Sequence, residues 1–416
     1  MENNLFGKLP AKGMRDFLPE ECEKREKILD AIKKVYGSYG FVSIETPCVE
    51  DIRLLEGKNG GENEKLIFRI LKRGEKLEES QNGELCDLGL RYDLTLPFTR
   101  YYANNSGPLP AVFKAMQTGY VWRADRPQKG RFRQFMQCDI DIIGEKSALA
   151  ECELIAATAE TLDVLGVKGF TVRINDRRIL RHLAESAGFD EKTSRDVFII
   201  LDKSDKIGLD GVKKELSAID PVSAEKLVSV MGALREGGTE ALRAAFHADC
   251  PEATENIEKI LDISRAGGVS CVFDISLIRG MDYYTGTIFE VGVDGLGYAV
   301  GGGGRYDKLV GKYVGKDIPA CGFSIGFERI VSLLSEKGLK AEKPGGTAIV
   351  AERNDSEDIL ALMMKKQKEI RKTMRASVFY KAKNFRAQLD SFRAQGYDSV
   401  ILIEEGGERE IPLVQI

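Results

Sequence analysis

The densest chemistry in this sequence lies at Arg123-Ala-Asp-Arg126-Pro-Gln128-Lys129-Gly-Arg131-Phe-Arg133-Gln, where five cations fall within eleven positions and only Asp125 opposes them. Guanidinium forks bind phosphoryl oxygens two at a time and hold the charge that builds at phosphorus during displacement. A solvated charge run is the bland alternative, and a glycine-centred turn flanked by Trp122 and Phe132 argues against it. Arg91-Tyr-Asp93-Leu-Thr95 sets a carboxylate and a hydroxyl two positions apart, able to grip an ammonium group or merely to cap a helix. Arg279, Asp282, Tyr283 and Tyr284 cluster beside a β-branched strand, although a tyrosine pair is more often core or interface. The glycine run ahead of Arg305-Tyr306-Asp307 lacks the GK[ST] ending and GxGxxG spacing of phosphate loops. It reads as close backbone approach to a ligand within a sheet. GFERI, closing on Arg329 and Ile330, looks like an amphipathic helix start.

Several chemistries are excluded at the same time. Only two histidines exist, His182 and His247, and neither sits in a motif, so a histidine triad or histidine-rich metal site is not expected. No protein-held metal is expected. The eight cysteines are scattered without a CxxC pair, as reduced core residues are. The formal charge of −4 makes any nucleic-acid surface a local patch. No apolar run approaches the roughly 18–20 residues that cross a bilayer, and the N-terminus has no signal-peptide core. A soluble, cytoplasmic protein without membrane association is the expectation.

The elements that must position these residues follow from periodicity. Glu20 to Tyr39 reads as an amphipathic helix ending at Gly40, followed by a short strand, FVSIETP. AVFKAMQTGYVWRAD reads as a strand, RPQKGRFRQ as a basic turn, and FMQCDIDIIG as a half-buried antiparallel strand, together a hairpin. Asp176 to about Gly268 changes to charged helical pieces, an insertion in texture. Strand-rich sequence returns from Cys271, and a glycine-punctuated strand feeds the GFERI helix. Gly338 to Gly346 reads as a linker. Beyond it β-α-β-α-β alternation predicts a small domain with largely parallel strands.

In order and spacing, KGMRDFLPEE, RYDLTLPFTRYY, RADRPQKGRFRQFMQCDIDIIG, RGMDYYTGTIFE, GGGGRYDKLV and GFSIGFERI resemble the histidyl-tRNA synthetases, a class II synthetase family, from about Gly13 to Leu334. The resemblance implies an α+β fold: an antiparallel sheet with flanking helices over 1–336, a helical insertion at about 176–268, a linker at 337–346, and a small anticodon-binding-like α/β domain at 347–416. It implies a homodimer that activates L-histidine with ATP and loads tRNA(His), with Mg²⁺ on the nucleotide. Arg123 and Arg279 would act at the α-phosphate, and Arg123, Arg131 and Arg329 would bind ATP. Asp93, Thr95 and Gln137 would hold the amino group of histidine. Asp141, Tyr283 and Tyr284 would line its imidazole site. Arg126, Gln128, Lys129 and Arg133 would meet the tRNA acceptor end.

The C-terminal stretch is shorter than the usual family domain and carries no final helix, yet it holds ten cations and two acids between Lys365 and Arg393. Such a surface suits RNA phosphates. The shortness gives an alternative expectation, a histidine-binding regulatory subunit of ATP phosphoribosyltransferase that charges no tRNA. The arginines at 123, 131, 279 and 329, together with the basic C-terminal stretch, favour the synthetase.

Overall fold

The structure is a computed structural model that describes residues 7–56, 62–78, 80, 85–126, 131–278, 283–340, 345–353, 356–404 and 407–413. The chain divides into two compact units, Met1–Leu339 and Lys340–Ile416.

The first unit opens on the helix Pro19–Ser38. Proline stands in its first turn, where a missing N–H is no loss, and Ile28, Ile32, Val35 and Tyr36 form its buried stripe. Gly40 then takes a φ of 83°, a left-handed turn that glycine enters without steric cost. β1 (Val42–Ser43) follows. Three short strands, β2 (Val49–Asp51), β3 (Phe68–Leu71) and β4 (Cys86–Leu90), form their own antiparallel sheet in the order β2-β4-β3. The helix Thr95–Asn105 leads into β5 (Phe113–Trp122) and β6 (Gln134–Ile143). These two pair antiparallel from Phe113 opposite Ile143 to Trp122 opposite Gln134, which is the expected hairpin. Residues 127–130 of its turn lie outside the described residues.

β7 (Phe170–Asp176), β8 (Cys271–Phe273), β9 (Thr287–Val293), β10 (Gly301–Arg305) and β11 (Ala320–Gly326) complete an eight-stranded sheet, ordered β1-β5-β6-β11-β10-β9-β7-β8. Pairing is antiparallel from β5 through β7, and β1 and β8 join the two edges in parallel.

β6 departs from its expected half-buried character. It lies in the sheet interior between β5 and β11, and every residue from Gln137 to Ile143 is buried. Cys138, Ile140 and Ile142 enter the main hydrophobic core with Ile28, Ile32 and Tyr36 of the first helix. The alternate positions, Gln137, Asp139 and Asp141, share the opposite face because side chains alternate along a strand. That polar face lines a cavity. Alternation in FMQCDIDIIG therefore marks a core face and a site face.

Between β7 and β8 run the helices Arg177–Ala187, Glu191–Leu201, Ser204–Leu216, Pro221–Phe246 and Pro251–Ala266. The segment is helical as expected, but Leu183, Leu227 and Ile257 belong to the same core cluster as the sheet. Both histidines sit here. His182 packs edge-on against Phe246, and Nδ1 of His247 lies 3.0 Å from Thr254 Oγ1.

The helix Phe327–Glu336 follows β11 directly. Its Glu328 receives both terminal nitrogens of Arg25, at 2.5 and 2.8 Å, and the Met136 amide at 3.3 Å. This buried pair ties the first helix, β6 and the GFERI helix together. Breaking such a pair from one side leaves an uncompensated charge, at a cost of roughly 3–5 kcal/mol.

The second unit contains β12 (Gly346–Ala351), the helix Glu357–Ile370, β13 (Arg375–Tyr380), the helix Phe385–Ala394, β14 (Ser399–Glu404) and β15 (Gly407–Pro412). Its sheet runs β13-β12-β14-β15. β12 pairs in parallel with β13 and β14, as the alternation predicts. β15 is an additional antiparallel edge strand on β14. Among the described residues, no helix is long and apolar enough to cross a membrane.

Candidate active site

The cavity in the first unit is lined by Asp93, Thr95, Arg123, Gln137, Asp139, Asp141, Tyr283, Tyr284, Tyr306 and Ser324, with Gly302, Gly303, Gly322 and Phe323 as its floor. Three carboxylates and one arginine thus face a common space. Asp93 and Thr95 come from the start of the helix Thr95–Asn105, Arg123 from the end of β5, and the remaining acids from β6.

Asp93 does both things its motif suggests. Its Oδ1 accepts from the Leu96 amide at 3.1 Å, capping the helix, while Tyr283 donates to Oδ2 at 3.4 Å. Burial pushes its carboxyl up to about 6, opposed by the Leu96 amide and by Arg123. Asp141 accepts the Tyr306 hydroxyl on Oδ1 at 2.5 Å. Burial pushes Asp141 to about 7, against the pull of that hydrogen bond. Asp139 is driven well above the carboxylate range, first by burial and then by Asp141.

Among the described residues lining this cavity, two buried acceptors have no hydrogen-bond partner, Oε1 of Gln137 and Oδ2 of Asp141. A buried polar atom left unpaired costs about 1–3 kcal/mol, and a ligand with two N–H groups would relieve both. Arg123 is held by one edge of its fork, Nε donating to the Tyr92 carbonyl at 3.0 Å, with its guanidinium 5.1 Å from the Phe135 ring.

Glycines form the floor because the protein itself approaches. A Cβ on Gly303 would stand 1.9 Å from the Gly322 carbonyl oxygen, and one on Gly322 would stand 2.0 Å from Oδ1 of Asp141. Gly302 and Gly303 of the run at 301–304 line the cavity, and the neighbouring strands already crowd Gly301, Gly303 and Gly304.

Of the residues singled out by sequence, Asp93, Thr95, Arg123, Gln137, Asp141, Tyr283 and Tyr284 line this one space. Arg131 and Arg329 do not. Arg131 is exposed, ahead of the start of β6. Arg329 donates to the Ala299 carbonyl and lies 5.4 Å from the Tyr298 ring. Arg126 is exposed, and Nε of Arg133 donates to the Asp125 carbonyl at 3.1 Å. Gln128, Lys129 and Arg279 lie outside the described residues. Asp139, Tyr306 and Ser324 were not anticipated. The two-residue period of β6 was the available signal for Asp139, between Gln137 and Asp141.

A family model described as histidyl-tRNA synthetase matches residues 13–330, which covers every cavity residue. The chain belongs to the histidyl-tRNA synthetase family. It is 43% identical over 413 residues to a histidine–tRNA ligase of Leifsonia xyli, with 95% of each chain covered. A histidine–tRNA ligase of Aeropyrum pernix is 40% identical over 340 residues, covering 79% of this chain and 75% of that protein. Among solved structures, the histidyl-tRNA synthetase of Nostoc sp. PCC 7120 superposes with a TM-score of 0.75 at 26% identity, covering 98% and 97% of the two chains. An ATP phosphoribosyltransferase regulatory subunit/histidyl-tRNA synthetase from Bacillus halodurans C shares the fold, at a TM-score of 0.76 and 21% identity over 96% and 98%. The second unit lies beyond the residues that the family model matches, and the Leifsonia alignment spans nearly the whole chain.

The basic stretch of that second unit is partly neutralised within its own fold. Lys366 pairs with Glu408, Lys381 with Glu352 and Arg393 with Asp390. Arg375 stacks on Tyr397 with its guanidinium carbon 4.0 Å from the ring centre.

Proposed function

We propose that this chain is a histidine–tRNA ligase. It joins histidine to ATP as the adenylate and then transfers the histidyl group to tRNA(His). The observation that carries the reading is the pair of bare acceptors, Gln137 Oε1 and Asp141 Oδ2, in the same cavity as Arg123. An ammonium and an imidazole are both N–H donors, and a carboxylate between them would be left facing the arginine.

In the first step a histidine carboxylate oxygen attacks the α-phosphorus of ATP, and pyrophosphate leaves with the bonding electron pair. Arg123 faces the charge that builds there, and Arg279 is proposed to share that work. Arg329 and Arg131 are proposed contacts for the rest of the nucleotide. Mg²⁺ enters with ATP as part of the substrate. No protein nucleophile is needed, since positioning and fixed charge suffice. In the second step a ribose hydroxyl of the tRNA attacks the activated carbonyl and AMP departs. Arg126, Gln128, Lys129 and Arg133 are proposed to meet the acceptor end.

Asp93, Thr95 and Gln137 are assigned to the amino group, and Asp141, Tyr283 and Tyr284 to the imidazole side. A site that satisfies buried polar groups through one ligand rejects analogues lacking those donors by as much as 10⁴–10⁵-fold. We assign the enzyme to the cytoplasm and read it as a homodimer, the second assignment supported by exposed apolar residues on β1 and on the small sheet, Val42, Val49, Leu71 and Leu88. The C-terminal domain at 347–416, within the second unit, is assigned to tRNA binding.

The test is ATP-dependent attachment of labelled histidine to tRNA(His). Ester formation with histidine and not with other amino acids is expected. Adenylate formation without any transfer would remove the second half of the proposal.

A further inference from the structure

Arg91 opens the segment that carries Asp93 and Thr95, yet its own side chain does not line the cavity. It is 5% exposed. Its guanidinium donates on two sides, Nε to the Tyr120 carbonyl at 2.9 Å, and Nη1 to the Thr46 carbonyl at 2.7 Å and the Thr46 hydroxyl at 3.1 Å. The main chain repeats the bridge. The Arg91 amide donates to the Cys48 carbonyl at 3.0 Å, and the Arg91 carbonyl accepts from the Trp122 amide at 3.0 Å. Side chain and backbone of one residue thus join residues 46–48 to the end of β5 and hold the start of segment 91–95 to both.

The hydrogen bonds beyond Arg91 have a fixed direction, because a guanidinium only donates and a peptide carbonyl only accepts. The Thr46 hydroxyl accepts from Arg91 and gives its own proton to Gln117 Oε1 at 3.2 Å. Gln117 Nε2 then donates to the Leu94 carbonyl at 3.3 Å. The circuit leaves Arg91 and returns to the same segment at Leu94. Between these two anchors lie Tyr92, whose carbonyl takes Nε of Arg123 at 3.0 Å, and Asp93, which faces the cavity. Gly119 leaves room for the arrangement, since a Cβ there would stand 2.4 Å from Nη2 of Arg91.

We infer that Arg91 is a positioning residue that holds segment 92–95 in place against β5, so that Asp93 and Thr95 meet the substrate's ammonium group and Arg123 meets the α-phosphate. This rests on the reading that Asp93 and Thr95 form the amino-group side. The imidazole side has a different support, because Asp141 belongs to β6 and is oriented by Tyr306. A lysine at 91 keeps the charge, but its single nitrogen cannot span the oxygens on both sides that the planar fork reaches.

The experiment measures binding by calorimetry to the full-length protein, with L-histidine and with imidazole-4-propionate, which lacks the amine. Exchange of labelled pyrophosphate into ATP at saturating histidine and ATP reads the adenylation rate. Variants are Arg91→Lys, Gly119→Ala and Asp93→Asn. Arg91→Lys is expected to weaken histidine roughly tenfold, the scale of one hydrogen bond to a charged group, and to leave imidazole-4-propionate within about twofold. Exchange at saturation should fall by roughly 10–10²-fold, the scale of a small misplacement of a group at the reacting centre. Gly119→Ala keeps Arg91 but crowds Nη2 and displaces the guanidinium. It should show the same selectivity, and it decides alone if Arg91→Lys does not fold. Equal weakening of both ligands assigns Arg91 a merely structural role and overturns the proposal. Unchanged histidine binding and exchange in the folded variants overturn it as well. If Asp93→Asn binds histidine as the parent does, the underlying reading of Asp93 fails, an outcome distinct from either.

Discussion

The Tyr306 hydroxyl donates to Oδ1 of Asp141 at 2.5 Å across 165 positions of sequence, while Oδ2 of the same carboxylate is buried and unpaired. The tyrosine therefore fixes the acid's orientation and leaves its second oxygen for a ligand. A carboxyl kept half-satisfied in a buried site is poised for function at some expense to the fold.

That expense has a sign and a pH window. Asp141 ionises near 7 in the folded protein against 3.8 as its ordinary value. The folded state thus binds more protons between those values, and the stabilisation present below pH 3.8 is lost as pH rises through about 7. Asp141→Asn should gain on the parent by roughly 2 kcal/mol between pH 5 and pH 8, read as the change in the urea midpoint difference. The same variant should bind histidine at least tenfold more weakly. A midpoint difference independent of pH would show that Asp141 is not perturbed.

Gly322→Ala probes the floor of the site. The added methyl would stand 2.0 Å from Asp141 Oδ1, so the carboxylate must move away from Tyr306. Histidine KM should rise at least tenfold while the protein stays folded by circular dichroism. An unchanged KM would mean that the orientation of Asp141 does not govern histidine binding.

Arg123→Lys keeps the charge but loses the planar fork. The adenylation rate at saturating substrates should fall by roughly 10²–10³-fold, the scale of one lost transition-state donor. A variant with normal turnover and only weakened histidine binding would move Arg123 from the phosphate to the amino-acid pocket.

How much of this was legible beforehand depended on distance along the chain. The hairpin of β5 and β6, the GFERI helix and the parallel order of β12 to β14 follow from local periodicity and turn residues. Arg123, Gln137 and Asp141 could be singled out because their own segments carry them. Tyr306 could not be paired with Asp141, nor Arg25 with Glu328 across 303 positions, because no local pattern encodes a contact between distant segments. Asp139 was hidden by an ambiguity of alternation, since a polar face lining a cavity reads the same as one facing water. β15 escaped because Gly-Glu-Arg-Glu-Ile-Pro is an edge strand of mostly exposed, charged residues, and such strands carry little hydrophobic signal.

Deleting Thr347 to Ile416 tests the basic unit. Phosphate contacts release counterions, giving a log–log salt slope of about −0.7 to −0.9 for each contact. The deletion should flatten the slope for tRNA binding and raise the KM for tRNA, while exchange of pyrophosphate persists. Unaltered tRNA affinity and salt dependence would contradict the assignment of this unit to RNA.

The central claim is that the cavity activates histidine, and pyrophosphate exchange tests it without tRNA. Labelled pyrophosphate should enter ATP only when L-histidine and Mg²⁺ are both present. Asp141→Asn and Arg123→Lys should each suppress the exchange. Tight histidine binding by folded, full-length protein with no exchange at all would contradict the account and leave a site that binds the amino acid without activating it.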